Sequence, residues 1–157
     1  MTTVEVFTRR VAEVTAAIAG QALDHTLEAR LNAEFPAGGN FFKETRLACE
    51  AAIRAGWMCQ QGEGSRRFGR IVQPAATTHG FSIDVVDLTD IIGPHHRHPT
   101  GEIDMIMPLT PTARFDGRGE GWLVYPPNSA HRPTVSAGRA LILYLLPNGE
   151  IEFTDTK

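Results

Sequence analysis

At Gly56 the apolar pattern of this 157-residue chain changes period, and that change restricts its possible folds more than any other feature. Before it, Val4, Phe7, Val11, Val14 and Ile18 recur at three- and four-residue steps, the spacing that lines one face of an α-helix, and the run ends near Gly20. Residues Ala22 to Phe35 repeat the pattern with Leu23, Leu27 and Leu31 before Pro36-Ala37-Gly38-Gly39 closes the segment. A third helix is predicted from Asn40, read as its N-cap, through Leu47 and Ile53 to Gly56. Beyond that point come short β runs bounded by turn residues: 68–72, 80–88, 102–107, 121–125, 139–146 and 150–153. Strands of this length and spacing imply a sandwich or barrel. The tight-turn signals Phe115-Asp116-Gly117-Arg118-Gly119 and Pro147-Asn148-Gly149 predict hairpins. The expected fold class is mainly β, a single domain over 1–157 with an α-helical N-terminal segment (1–56) ahead of a small antiparallel barrel (57–157).

A chain of this length can bury about 70% of the surface its unfolded form exposes, so a true core is available. The net charge is −3 and no Lys/Arg-rich run exists, which argues against a nucleic-acid partner. No apolar stretch approaches the ~20 residues of a membrane span. Cys49 and Cys59 are too few for a disulfide framework, and the start Met1-Thr2-Thr3-Val4-Glu5 lacks a basic segment followed by an apolar one. A cytoplasmic protein is expected, and a homodimer from the commonness of two-fold assemblies and the apolar lead-in.

The chemistry concentrates in Gly93-Pro94-His95-His96-Arg97-His98-Pro99-Thr100-Gly101-Glu102. Side chains alternate across a strand, so His96 and His98 share one face while Arg97 points the other way. The Pro-Thr-Gly turn then brings the carboxylate of Glu102 back beside them. His131, in Pro126-Pro127-Asn128-Ser129-Ala130-His131, offers a third imidazole from a second hairpin. Three imidazoles and one carboxylate suit a divalent transition metal (Fe, Mn, Ni or Zn) and leave coordination positions open for water or substrate. His95 reads as an exposed loop residue.

These two segments resemble the two-part signature of the cupin superfamily, H-x-H-x-x-x-E followed by P-x-G-x-x-H, which implies a double-stranded β-helix barrel. Asn128 stands where Gly is usual, although Asn also tolerates a left-handed turn. More narrowly, Pro94 to Leu109, Gly121 to Val135 and Gly138 to Pro147 are similar to the 4-hydroxylaminobenzoate lyases of bacterial nitroaromatic degradation. That resemblance implies conversion of 4-hydroxylaminobenzoate and water to 3,4-dihydroxybenzoate and ammonia, with no net redox change. It makes the partner a small aromatic carboxylate.

For such a reaction the candidate catalytic residues are Glu102, Asp104 and His98, with His96, His98, Glu102 and His131 as metal ligands. Without a metal, the same His/Glu group would do general acid–base work. Asp104 should share the face of Glu102 and act as acid or base, or orient a ligand histidine. A substrate carboxylate calls for a cation; among Arg70, Arg97, Arg132 and Arg139, alternation turns Arg97 and Arg132 outward, which favours Arg70 or a residue from the helical lead-in. Trp122 and Tyr125, with Phe81 and Met105, are candidates to wall an aromatic ring. Two other readings fit the same ligand set: a metal-dependent cupin dioxygenase on an aromatic ring, and a non-catalytic small-molecule-binding cupin.

Overall fold

The computed structural model describes residues 3–154. Among them the chain forms α1 (Val4–Ile18), α2 (His25–Glu34) and α3 (Asn40–Ala55), then ten strands: β1 (Gln61–Glu63), β2 (Arg66–Val72), β3 (Phe81–Ile92), β4 (His96–His98), β5 (Glu102–Pro108), β6 (Arg114–Phe115), β7 (Gly121–Tyr125), β8 (Ser129–His131), β9 (Thr134–Pro147) and β10 (Glu152–Phe153). The protein is mainly β with a helical N-terminal segment, as the period change at Gly56 requires.

Local chemistry sets the helix ends. The Thr3 hydroxyl accepts from the Val6 N–H at 3.2 Å and starts α1. Asp24 does the same for Leu27 at 3.0 Å, so α2 begins at His25 rather than Ala22. Asn40 is the first helical residue of α3, not its cap; Gly39 holds the cap position without a side-chain bond. Gly56 ends α3 in the left-handed conformation, φ 89°, where a side chain would be strained.

The larger sheet runs β1-β2-β3-β9-β5-β7, with β6 also on β9, and the smaller runs β10-β4-β8. Strands β3, β5, β7 and β9 of the larger sheet present one face to the helices and the other to the interior. Ile103, Met105 and Met107 of β5, Leu141, Leu143 and Leu145 of β9, and Trp122 and Val124 of β7 pack with Phe7, Val11, Leu31 and Phe42 of the helices. The alternate residues Ile106, Ile142, Tyr144, Leu146 and Leu123 belong to a second cluster on the inner face, as do Phe115 and Val135.

Both predicted turns form, and the strands predicted on either side of 115–119 pair as expected, β5 with β7, but the strand after 147–149 pairs elsewhere. Asn148 and Gly149 have positive φ (56° and 67°), yet β10 does not fold back on β9 and pairs with β4 instead. The turn thus hands the chain from one sheet to the other. Asp116 and Gly117 (φ 50° and 80°) reverse the chain, with β6 paired to β9 and β7 to β5.

A candidate metal centre and the cavity beside it

β4 and β8 pair antiparallel with His96 opposite His131 and His98 opposite Ser129. Both imidazoles of β4 turn inward, and Arg97 between them turns out to meet Glu152 and Asn128, each at 2.7 Å. Gly101 makes the return to β5: its φ is 91°, and a Cβ there would lie 2.8 Å from the Tyr125 carbonyl oxygen. Asn128 adopts φ 68°, the left-handed conformation a glycine usually supplies.

The result is a group in which one ligand atom each from His96, His98, Glu102 and His131 lies within 4.8 Å of all the others. Ligands about 2.1 Å from a common centre would stand roughly 3–3.4 Å apart. Observed separations are 3.0 Å for His96 Nε2 to His131 Nε2, 3.2 Å for His131 Nε2 to Glu102 Oε2, and 2.6 and 3.8 Å from Glu102 Oε1 to Nε2 of His98 and His96. His98 Nε2 and both Glu102 oxygens are buried yet have no properly aimed hydrogen bond, despite their proximity. Buried donor atoms this close together, most of them without a hydrogen bond, fit a cation; the donor set suits a transition metal.

Electrostatics in the metal-free cluster follow from burial and charge. Burial alone would raise the Glu102 carboxyl, but His131, His96 and His98 against it hold it well below the usual carboxylate range. Desolvation likewise lowers His96. For His131 burial is outweighed by Asp116 and Glu102, which raise it to about 9. Asp104, on the same face as Glu102, is fully buried; burial first and the Glu102 charge second push its carboxyl well above the ordinary value. Neither of its oxygens has a hydrogen-bond partner.

Asp116 is the residue that sequence reasoning missed. Its carboxylate accepts from His131 Nδ1 at 2.7 Å, the Tyr125 hydroxyl at 2.6 Å and the Thr134 N–H at 2.9 Å, and so fixes the ring that offers Nε2 to the cluster. In sequence it is an Asp-Gly turn residue, and nothing local distinguishes the two roles.

The sequence model of the family PnbB, 4-hydroxylaminobenzoate lyase, matches residues 9–153. The chain belongs to the 4-hydroxylaminobenzoate lyase family. It is 32% identical over 139 residues to the 4-hydroxylaminobenzoate lyase of Nocardioides sp. (strain LMS-CY), covering 83% of this chain and 82% of that one. With the Pseudomonas putida protein of the same name identity is 28% over 145 residues, covering 81% and 82%. Among solved structures, a cupin-like protein of unknown function from Ralstonia eutropha superimposes at TM-score 0.43 and 14% identity over 63% of this chain and 65% of its own. An oxalate oxidase bound to glycolate gives TM-score 0.43 and 18% identity over 60% and 57%.

In this family member a cavity of about 250 Å³ adjoins the cluster, lined among others by His96, Tyr144, Asp84, Arg70, Val86 and Leu146. Arg70, favoured from the sequence, does line it, but its guanidinium is already engaged: Nε and Nη2 donate to Asp84 at 2.8 and 3.3 Å, and Nη2 to the Gly149 carbonyl at 3.0 Å. Burial raises the Asp84 carboxyl while Arg70 opposes the shift.

Five residues lie elsewhere than expected. Trp122 does not reach the site; it lies on the helix-facing side of β7, its indole N–H on the Phe35 carbonyl at 2.9 Å and its ring among Phe35, Phe41 and Phe42. Phe81 and Met105 share that outer face. Tyr125 sits at the cluster rather than in the cavity, its hydroxyl committed to Asp116. His95 is half-buried, with Nδ1 on the Thr154 hydroxyl, instead of lying exposed in a loop.

Proposed function

We propose that this protein is a 4-hydroxylaminobenzoate lyase that converts 4-hydroxylaminobenzoate and water into 3,4-dihydroxybenzoate and ammonia. The observation that carries this reading is the convergence of His96, His98, Glu102 and His131, of which His96 also lines a cavity of about 250 Å³, in a chain of this family. That volume lies just below the roughly 300 Å³ at which small-molecule sites usually begin, and suits a one-ring substrate.

In the proposed reaction the N–O bond breaks with its electron pair going to oxygen, water adds to the neighbouring ring carbon, and hydrolysis of the resulting imine releases ammonia. A divalent metal held by His96, His98, Glu102 and His131 would supply Lewis acidity and lower the pKa of a bound water. Glu102, anionic within three imidazoles, provides the one negative ligand. Asp104, buried two residues along the same face, is the candidate acid–base group. The substrate carboxylate is assigned to the arginine wall of the cavity. Of its two arginines Arg70 is paired with Asp84, whereas Arg66, resting on the Phe68 ring at 4.4 Å, has no ion-pair partner among the described residues. Arg66 is therefore the better placed for a bidentate contact, and Arg70 holds Asp84 in the wall.

Ammonia release from 4-hydroxylaminobenzoate in anaerobic buffer, measured with elemental analysis before and after chelation, tests the reading. Stoichiometric ammonia and 3,4-dihydroxybenzoate without oxygen are expected. An obligate requirement for oxygen would replace the lyase with a dioxygenase.

A further inference from the structure

The strand registers align Arg70, Asp84, Tyr144 and Asp104 in one row across β2, β3, β9 and β5. At one end Arg70 and Asp84 satisfy each other. Further along, the Tyr144 hydroxyl is buried with no hydrogen-bond partner, in a residue only 5% exposed that lines the same cavity as His96. Buried phenols normally find a partner for the O–H, and leaving one unmade is costly. If the ring alone were needed, Phe would serve, as it does at Phe115 alongside, with ring centroids 6.3 Å apart. The unpaired hydroxyl on a cavity wall is thus a donor waiting for a group that enters.

We propose that Tyr144 is a catalytic residue of the lyase, donating a hydrogen bond from its hydroxyl to the hydroxylamino oxygen of the substrate as the N–O bond breaks. This rests on the activity proposed above. Tyr144 lines the cavity that His96 also lines, and its hydroxyl is buried there without a partner, so the hydroxylamino end of the substrate is assigned to the space between Tyr144 and the metal-ligating cluster. As the bond's electron pair moves to oxygen, charge gathers there and the hydrogen bond strengthens, which lowers the barrier more than it stabilises bound substrate. Tyr144 stays neutral throughout. The proton that completes the departing water comes from the acid–base group named above and is returned to it when water adds to the ring. Burial and the nearby carboxylates of Glu102, Asp104, Asp116 and Asp84 raise the phenol well above its ordinary value, so the O–H remains available to donate.

Tyr144→Phe removes one oxygen and keeps the ring. In the metal-loaded enzyme under anaerobic conditions, kcat for ammonia release is expected to fall on the order of 100-fold. Thermal midpoint, metal content and affinity for 4-aminobenzoate, which lacks the hydroxylamino oxygen, are expected to stay unchanged. A purely structural hydroxyl would move the midpoint and the 4-aminobenzoate affinity together. An unchanged kcat, an equal weakening of 4-aminobenzoate, or a variant that does not fold each overturns the assignment, the last because it would reveal a structural partner for the hydroxyl. If the parent enzyme itself releases no ammonia, the proposed activity falls and takes this inference with it; if the parent is active and only the Tyr144→Phe result is negative, the activity stands.

Discussion

The two faces of the larger sheet are built from alternate residues of the same strands, yet they do opposite things. On β9, Leu141, Leu143 and Leu145 pack against the helices, while Ile142, Tyr144 and Leu146 face inward. On β5, Ile103 and Met105 go to the helices and Glu102 and Asp104 to the interior. The outer face is mostly apolar and packed, and the Trp122 indole there has its acceptor, although Thr45 of α3 keeps a buried hydroxyl without one. Its inner counterpart holds polar atoms without partners, on Glu102, Asp104 and Tyr144, with His98 of the smaller sheet across from them. A fold maximising its own stability would not leave those groups unmatched, so the inner face is organised around what enters, and the outer face supplies the stability that makes this possible.

The largest effect expected is on the inner face. His98→Ala should abolish ammonia release and bound metal while the helix-facing core stays folded; turnover at the parent rate would refute the site. One layer away, Leu143→Ala, a 1%-exposed residue in the helix-facing core, should cost about 3 kcal/mol of unfolding free energy and leave the kcat of folded enzyme unchanged. Chemical denaturation with a parallel ammonia assay separates the two, and a loss of kcat without loss of stability would erase the distinction between the faces.

A pH series sharpens the comparison. In metal-free protein His131 is raised from the ordinary 6.5 to about 9. Its folded-state value lies above the unfolded one, so its contribution is complete below pH 6.5 and disappears as pH rises through about 9, on the order of 3 kcal/mol in all. The thermal midpoint of chelator-treated protein should therefore fall over that window, and His131→Ala should flatten the slope. Equal slopes in parent and variant would show that another group controls it. The smallest change is expected from Asp116→Asn, which leaves all four ligands in place but weakens the acceptor that orients His131; metal affinity should drop about 10- to 100-fold in a competition titration.

Much of this was legible in the chain because local rules govern it. The end of the third helix follows from Gly56 and the inward pair His96 and His98 from strand alternation about Arg97, whereas the apolar spacing passes over the caps Thr3 and Asp24, and Asn40 lies one residue off the cap it is read as. What was not legible depends on partners distant in sequence or on strands without polar phase. Gly121–Tyr125 is apolar at nearly every position because both of its faces are covered, so nothing local says that Trp122 faces the helices and Tyr125 the interior. Tyr144 is hidden in the same way within Leu141-Ile142-Leu143-Tyr144-Leu145-Leu146. The neutralisation of Arg70 by Asp84 comes from the pairing of β2 with β3, and the grip of Asp116 on His131 from a turn whose residues would look the same without it.

The division of the donors between the sheets has a mechanical consequence. Three of them ride on β4 and β8, strands of three residues each, and the fourth on the long, buried β5. Strands so short have little hold of their own. An ion shared by all four side chains would rivet the small sheet onto the large one, so loading and emptying the centre should tighten and slacken that flap, and hydrogen exchange at His96–His98 and Ser129–His131 should track occupancy ahead of any change in the helices.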